Sequence, residues 1–394
     1  MLLPIIFATF MFIIFLCYLR FPALVERNYK NYQVMTLRKD TYSTPPDPAP
    51  LVSVIIPARD EEKNMGKCLL SLTEQDYPQM EIIAVDDNST DKTGEIIEGF
   101  QKKDRRVKLV KGKELPPGWR GKNFAIYQGI QQAGGEYLLF VDADVWLAPQ
   151  CLSQTVCHAR EHGSDLLILK GKGEWKGFWE KVIFPVYTQI TWVLLPFPLL
   201  NDPRSRANLG GGPYLLFKRE VYEEIGGHEK IKEEVTEDIV LVSTIKEQGL
   251  KLNNLFGREL LTIGAYTNLK VIWRQLSKSY FIGIGRKPWI VGSSLLMLFS
   301  FIILPWFSVL LSLTYLIIYR QGWFPLLIFL LGMGQCLSAL FIRRRLKKYM
   351  GFDNTCIHNL LQPLGALMIA CIMINSTVKT LSGKGVTWKG RTYH

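Results

Sequence analysis

The feature that most constrains this chain is the set of long uncharged runs near its two ends. Leu2 to Leu19 is an 18-residue stretch without a charge, long enough to span the roughly 30 Å apolar core of a bilayer. Toward the other end, Trp289 to Tyr319 is an uncharged block of 31 residues. As one helix it would measure roughly 46 Å, so it must tilt steeply or break near Pro305. Trp323 to Ile342 is a third run, and Ile357 to Ile374 a weaker fourth that contains His358, Asn359, Gln362 and Pro363.

Charge follows the same division. The net charge of +12 at pH 7 would suit a nucleic-acid partner if it were spread over the chain. Instead, residues 289–394 hold ten Lys/Arg against the single acid Asp353. Base beside apolar runs meets anionic head groups, so the expected partner is the lipid bilayer and not nucleic acid. Arg20, Arg27 and Lys30 follow the first run, and Arg343, Arg344, Arg345, Lys347 and Lys348 follow the third; both clusters belong on the cytoplasmic side. Four spans would leave the basic tail outside, against that rule. A broken hairpin in the long block, or a last segment that dips in and returns, would bring it back. Seven cysteines, an odd number without any C-x-x-C, point to reduced thiols and not to a disulfide frame.

Between about residues 50 and 265, short β-rich runs alternate with helical patterns, which argues α/β with a mostly parallel sheet. Leu51–Pro57 and Glu81–Asp87 read as buried strands, Val107–Val110 as a third, and Tyr137–Asp144 as another. Helices are expected from about Glu61 to Thr73 and from Lys122 to Ala133. Phe178 to Leu200 is apolar, aromatic and broken by three prolines, so it lies on the membrane surface or lines an acceptor site. The expected organisation is a membrane anchor at 1–20, a linker at 21–49, the α/β domain at 50–265, an interfacial amphipathic segment at 266–288, a membrane region at 289–377 and a basic tail at 378–394.

Three acidic clusters stand at strand ends or helix starts, where ligands of open α/β sheets bind. Asp86 and Asp87 end one strand. Asp142 and Asp144 end another, two apart, so that on an extended strand they point the same way. Two hard oxygen ligands so placed suit Mg²⁺ or Mn²⁺. Thr236-Glu237-Asp238 opens an apolar helix with Thr236 at its N-cap position. Gly210-Gly211-Gly212-Pro213, just before a strand, lets backbone approach a ligand closely or makes a tight turn. His158-Ala-Arg-Glu-His162 fits an inverted zinc-protease pattern, yet it falls where a solvated helix is expected. Gly171-x-Gly173 opens no helix and fails as a dinucleotide fingerprint.

Taken together, Pro57-Ala-Arg-Asp-Glu-Glu62, Val85-Asp-Asp-Asn-Ser-Thr-Asp91, Asp142-Ala-Asp144 and Thr236-Glu-Asp238 resemble the nucleotide-sugar glycosyltransferases of family 2, which have the GT-A fold. The resemblance covers about residues 50–285. A narrower similarity, through Gly121-Lys-Asn-Phe-Ala-Ile-Tyr-Gln-Gly129 and Val386-Thr-Trp-Lys-Gly-Arg-Thr-Tyr393, is to bacterial membrane enzymes that glucosylate carotenoid acids and related lipids.

The resemblance implies a GT-A catalytic domain, Rossmann-like and mostly parallel, joined to transmembrane helices. It implies a UDP-sugar donor with Glu61 and Asp87 on the uridine, Asp86 close by and Pro57 also at the donor. Asp142 and Asp144 would reach the ribose and, through Mn²⁺ or Mg²⁺, the diphosphate, with Lys122 adding a positive contact. Asp238 would be the base that deprotonates a lipid acceptor for a single inverting displacement. Gly211, Gly212, Glu237, Gln275 and Lys278 would stand on the acceptor side. Polymer-forming members carry Q-x-x-R-W, where this chain has Gln275-Leu-Ser-Lys278-Ser279, so transfer of single sugars (glucose, by the narrower similarity) is expected. The alternatives are a polyprenyl-phosphate acceptor, or an inactive scaffold or transporter.

Overall fold

A computed structural model describes residues 2–42, 47–266, 268–319, 322–352, 355–382, 386–388 and 391–393. The first helix, α1 (Leu2–Val34), does not stop at residue 20 but continues through about half of the expected linker. Val25 and Tyr32 recur on one helical face and bury themselves with Trp192, Phe197 and Phe256. Past the helix, Leu37 N–H donates to the Phe256 carbonyl and Phe256 N–H to that of Met35, both at 2.8 Å. The segment that follows α1 is thereby joined to a sheet edge.

Strands β1 (Val52–Ala58), β2 (Met80–Asp86), β3 (Val107–Lys111), β4 (Tyr137–Val141), β5 (Val145–Leu147), β6 (Leu166–Lys170), β7 (Lys172–Gly173), β8 (Tyr214–Lys218), β9 (Leu252–Phe256) and β10 (Leu261–Ile263) make the central domain. Helices α2 (Met65–Thr73), α3 (Thr93–Gln101), α4 (Gly121–Ile130), α5 (Cys151–Glu161), α6 (Phe178–Leu194), α7 (Arg219–Glu224), α8 (Gly227–Lys230) and α9 (Glu237–Glu247) alternate with them. Seven strands form one sheet in the order β3-β2-β1-β4-β8-β6-β9. It is parallel except where β8 meets β4 and β6, as the α/β expectation required. Val52 to Ile56 are buried at every position, the continuous apolar run that a two-sided parallel strand needs. A smaller sheet, β5-β10-β7, stands beside it.

The rest of the chain is helical. α10 (Leu269–Gly283), α11 (Pro288–Leu298), α12 (Leu304–Tyr319), α13 (Trp323–Met350), α14 (Cys356–Leu360) and α15 (Gln362–Leu381) precede a two-stranded hairpin of β11 (Val386–Trp388) and β12 (Arg391–Tyr393). Lys384 and Lys389 of the tail lie outside the described residues. The long block is neither a hairpin nor broken: α11 and α12 join through a π-helical turn, Phe299–Ile303, directly before Pro305. Proline has no N–H to give the carbonyl four residues back, which is that of Phe301. The Tyr18 hydroxyl of α1 donates to that carbonyl instead.

Four helical segments, Ile5–Tyr32, Pro288–Tyr319, Trp323–Lys347 and Gln362–Leu381, are long and apolar enough to cross a membrane. Leu310, Leu311, Ile317 and Ile318 are exposed on them, an apolar surface suited to lipid. The Phe178 region is helical despite its prolines, with Pro185 inside α6. α15 lies along both α6 and α10: Gln362 donates to Gln189 at 2.8 Å, and Asn375 donates to Ser277 at 2.9 Å. At the end of α5, the rings of His158 and of His162, the residue just past the helix, stack 4.0 Å apart. His158 meets Tyr42 and Asn253, and burial pushes it down to about 4.

Candidate functional site

Strand ends and the start of α9 surround a cavity of about 340 Å³. Pro57, Glu61, Asp142 and Asp144 line it from the sheet, Lys122 from α4, Gly212 from the loop before β8, Glu237 and Asp238 from the start of α9, and Gln275 and Lys278 from α10. Packing explains the position of Lys122. A Cβ at Gly129 would come within 2.7 Å of Ile55, so the glycine lets α4 press on β1 and aims its first turn at the strand ends. The neighbouring Asn123 donates to the carbonyls of Ile231, Lys232 and Glu234, at 2.9, 3.3 and 3.0 Å. That ties the segment leading into Glu237 to the same turn.

Asp142 and Asp144 are not two positions of one extended strand. β4 ends at Val141, and Asp142 to Asp144 form a turn closed by Val145 N–H on the Asp142 carbonyl at 3.1 Å. The chain bends there because β5 leaves the main sheet to pair with β10. Both carboxylates still face the cavity.

Their electrostatic settings differ. Lys122 Nζ lies 2.6 Å from Asp142 and 2.7 Å from Glu237. Burial would raise the Glu237 carboxyl, but Lys122 and Lys278 outweigh it and hold it below the usual range. Burial raises Asp142 against the pull of Lys122. Asp144 has no ion pair among the described residues; burial, then the like charges of Asp142 and Glu61, push it up to about 7. Among the described residues no three His, Cys, Asp or Glu side chains group as a ready-made metal cage. Two hard carboxylates in an under-compensated negative site do fit Mg²⁺ or Mn²⁺, which leave room for water and phosphate oxygens.

Asp238 is held by backbone. Gly211 and Gly212 N–H groups donate to its Oδ2 at 2.8 and 3.0 Å. Gly210 precedes them at φ +59°, and a Cβ there would run into the Asp238 carboxylate. Thr236 occupies the N-cap position without a side-chain cap bond.

Asp86 and Asp87 do not line this cavity. Asp86 accepts from Ser89 N–H at 3.0 Å, capping its own turn. Asp87 is buried, and its carbonyl accepts from Arg59 Nη1 at 2.6 Å. Arg59 itself lines the cavity, and it is a member of the Pro57–Glu62 element whose role the sequence reading passed over. Tyr266 and Leu276 also line it and belong to an apolar cluster with residues of α6, α11 and α15. No local pattern marked them.

Residues 53–226 match the family model for glycosyl transferase family 2. This segment is a family 2 glycosyltransferase domain. Over 357 residues the chain is 27% identical to a 4,4'-diaponeurosporenoate glycosyltransferase of Staphylococcus aureus, covering 87% of this chain and 88% of that one. Among solved structures it is similar to the mannosyltransferase PcManGT of Pyrobaculum calidifontis in complex with GDP-Man and Mn²⁺. That match has 17% identity and a TM-score of 0.47, over 95% of this chain and 99% of that one. It is also similar to Staphylococcus aureus TarS, at 25% identity and a TM-score of 0.39, over 58% of this chain. The chain spans 38% of the length of that TarS chain.

Proposed function

We propose that this family 2 domain moves one sugar from a UDP-sugar to a lipid acceptor at the cytoplasmic membrane face, by a single inverting displacement. The observation that carries the reading is one cavity whose lining joins Asp142, Asp144, Lys122 and Asp238 with Tyr266 and Leu276, which pack against the apolar cluster of α6, α11 and α15. A water-soluble donor and an apolar acceptor need such a meeting place. The S. aureus relative is named for a carotenoid acid, which supports an apolar lipid and, by the sequence resemblance, glucose as the sugar.

In this reading Glu61 and Asp87 hold the uridine, with Asp86 shaping the turn beside them. Asp144, with Asp142, would hold Mn²⁺ or Mg²⁺, whose charge offsets that building on the leaving diphosphate. Asp238 takes the acceptor proton, and its orientation comes from Gly211 and Gly212 gripping one of its oxygens. Gln275 and Lys278 border the acceptor. A positioned base contributes roughly 10²- to 10⁴-fold.

The test uses full-length protein in detergent with Mn²⁺ or Mg²⁺, a panel of labelled UDP-sugars, and total bacterial lipid. The expected result is metal-dependent UDP release and a labelled lipid, both lost in Asp144→Ala, with transfer lost in Asp238→Asn. A product whose sugar is freed by mild acid would identify a phosphate acceptor instead. Folded protein that turns over no donor would falsify the enzymatic reading.

A further inference from the structure

Lys170 ends β6 and does not line the cavity. Its Nζ donates to the carbonyl of Gly210 at 2.5 Å. The next N–H, that of Gly211, donates to Asp238 Oδ2 at 2.8 Å. These two groups belong to one peptide plane, whose C=O and N–H point opposite ways because the bond is trans. Pulling the oxygen toward Lys170 therefore aims the N–H at Asp238.

We propose that Lys170 is a positioning residue for Asp238, acting through the Gly210–Gly211 peptide. The inference rests on the reading of Asp238 as the base. Were this peptide to flip, its carbonyl oxygen would face the carboxylate and the grip would become a repulsion. A glycine pair is free to make that flip, so the orientation needs an external hold. Asn208 supplies the other end of the hold: its Oδ1 accepts from Gly210 N–H at 2.7 Å, and its Nδ2 donates to the Ile239 carbonyl of α9 at 2.8 Å. Asn208 ties the loop to the helix that carries Asp238, and Lys170 ties it to the sheet. Lys170 holds the oxygen of the peptide whose N–H meets the carboxylate. Burial holds the Lys170 ammonium down to about 8, with Asp238 opposing that shift, so the charged group belongs to the same electrostatic unit as the carboxylate.

The test compares full-length wild type with Lys170→Met, Lys170→Arg and Asp238→Asn. Hydrogen–deuterium exchange of the peptide covering residues 208–213 reads the hold without any catalysis. Lys170→Met is expected to speed it about tenfold, the scale of losing one charge-assisted hydrogen bond. Asp238→Asn should speed it too, and Lys170→Arg should largely restore protection. In UDP release, Lys170→Met is expected to lower kcat about 10- to 100-fold with the donor KM within about twofold. Lys170→Met added to Asp238→Asn should cost nothing further, because both act on one carboxylate.

Wild-type exchange in Lys170→Met overturns the proposal. So does a raised donor KM with unchanged kcat, which would put Lys170 on the donor. Should Lys170→Met not fold, Lys170→Gln takes its place in both measurements. If wild-type protein releases no UDP from any donor, the transfer reading fails, and with it the catalytic part of this inference; the exchange arm still decides whether Lys170 holds the loop.

Discussion

Lys122 Nζ stands 2.6 Å from Asp142, so the first carboxylate of Asp-Ala-Asp is compensated by a lysine while Asp144 is not. Two residues that look equivalent in sequence therefore have unequal work. Asp144 carries the negative charge that a divalent ion can relieve. Asp142 belongs to a half-buried triad with Lys122 and Glu237.

The first prediction concerns metal and pH. Below about pH 7 Asp144 takes up a proton, so the Mn²⁺ concentration for half-maximal UDP release should rise about tenfold per pH unit. The sign for stability is the reverse of the usual carboxylate case. A carboxyl raised in the folded state makes folding less favourable as pH climbs from its unfolded value through about 7. In metal-free buffer, Asp144→Asn should raise the Tm at pH 8 and leave it unchanged at pH 4. A lowered Tm at pH 8 would mean that an attractive partner holds the ionised form.

Lys122→Met leaves Asp142 and Glu237 facing each other without their cation. The three side chains are partly open, at 21%, 28% and 9% exposure, so the loss is set at about 2 kcal/mol, below that of a fully buried pair. Denaturant unfolding of the purified variant measures it. Adding Asp142→Asn should recover part of the loss, and a double variant less stable than the single would break the triad account.

Gly210→Ala tests the grip on Asp238 from its other side. Its methyl would enter the carboxylate's space at a positive φ, so kcat for transfer should fall about 100-fold with UDP affinity kept. Titration calorimetry with UDP and a turnover assay separate the two effects. A variant that loses UDP binding instead would move the glycine loop to the donor side.

Membrane association has a direct check. With four helices apolar enough to cross a bilayer, the full chain should stay in the pellet after extraction of membranes at alkaline pH. Release into the supernatant would show that these helices pack on each other and do not enter lipid.

What the sequence determined by itself is what short-range pattern can carry. Uncharged runs declare helices apolar enough to cross a membrane, and β-rich runs alternating with helices declare a mostly parallel sheet. Asp142, Asp144 and Asp238 were legible because each sits in a tight motif whose chemistry is local. The tertiary structure decided everything that depends on partners distant in the chain. Lys122, Asp142 and Glu237 form a triad only because α4, the turn after β4 and the start of α9 converge. Lys170 gains a role only because β6 ends beside the Gly210 carbonyl. α1 passes its expected end because Tyr32 finds Phe256 and Trp192. Propensity and charge patterns act over a few residues, whereas burial and pairing are set by whichever surfaces the folded chain brings together.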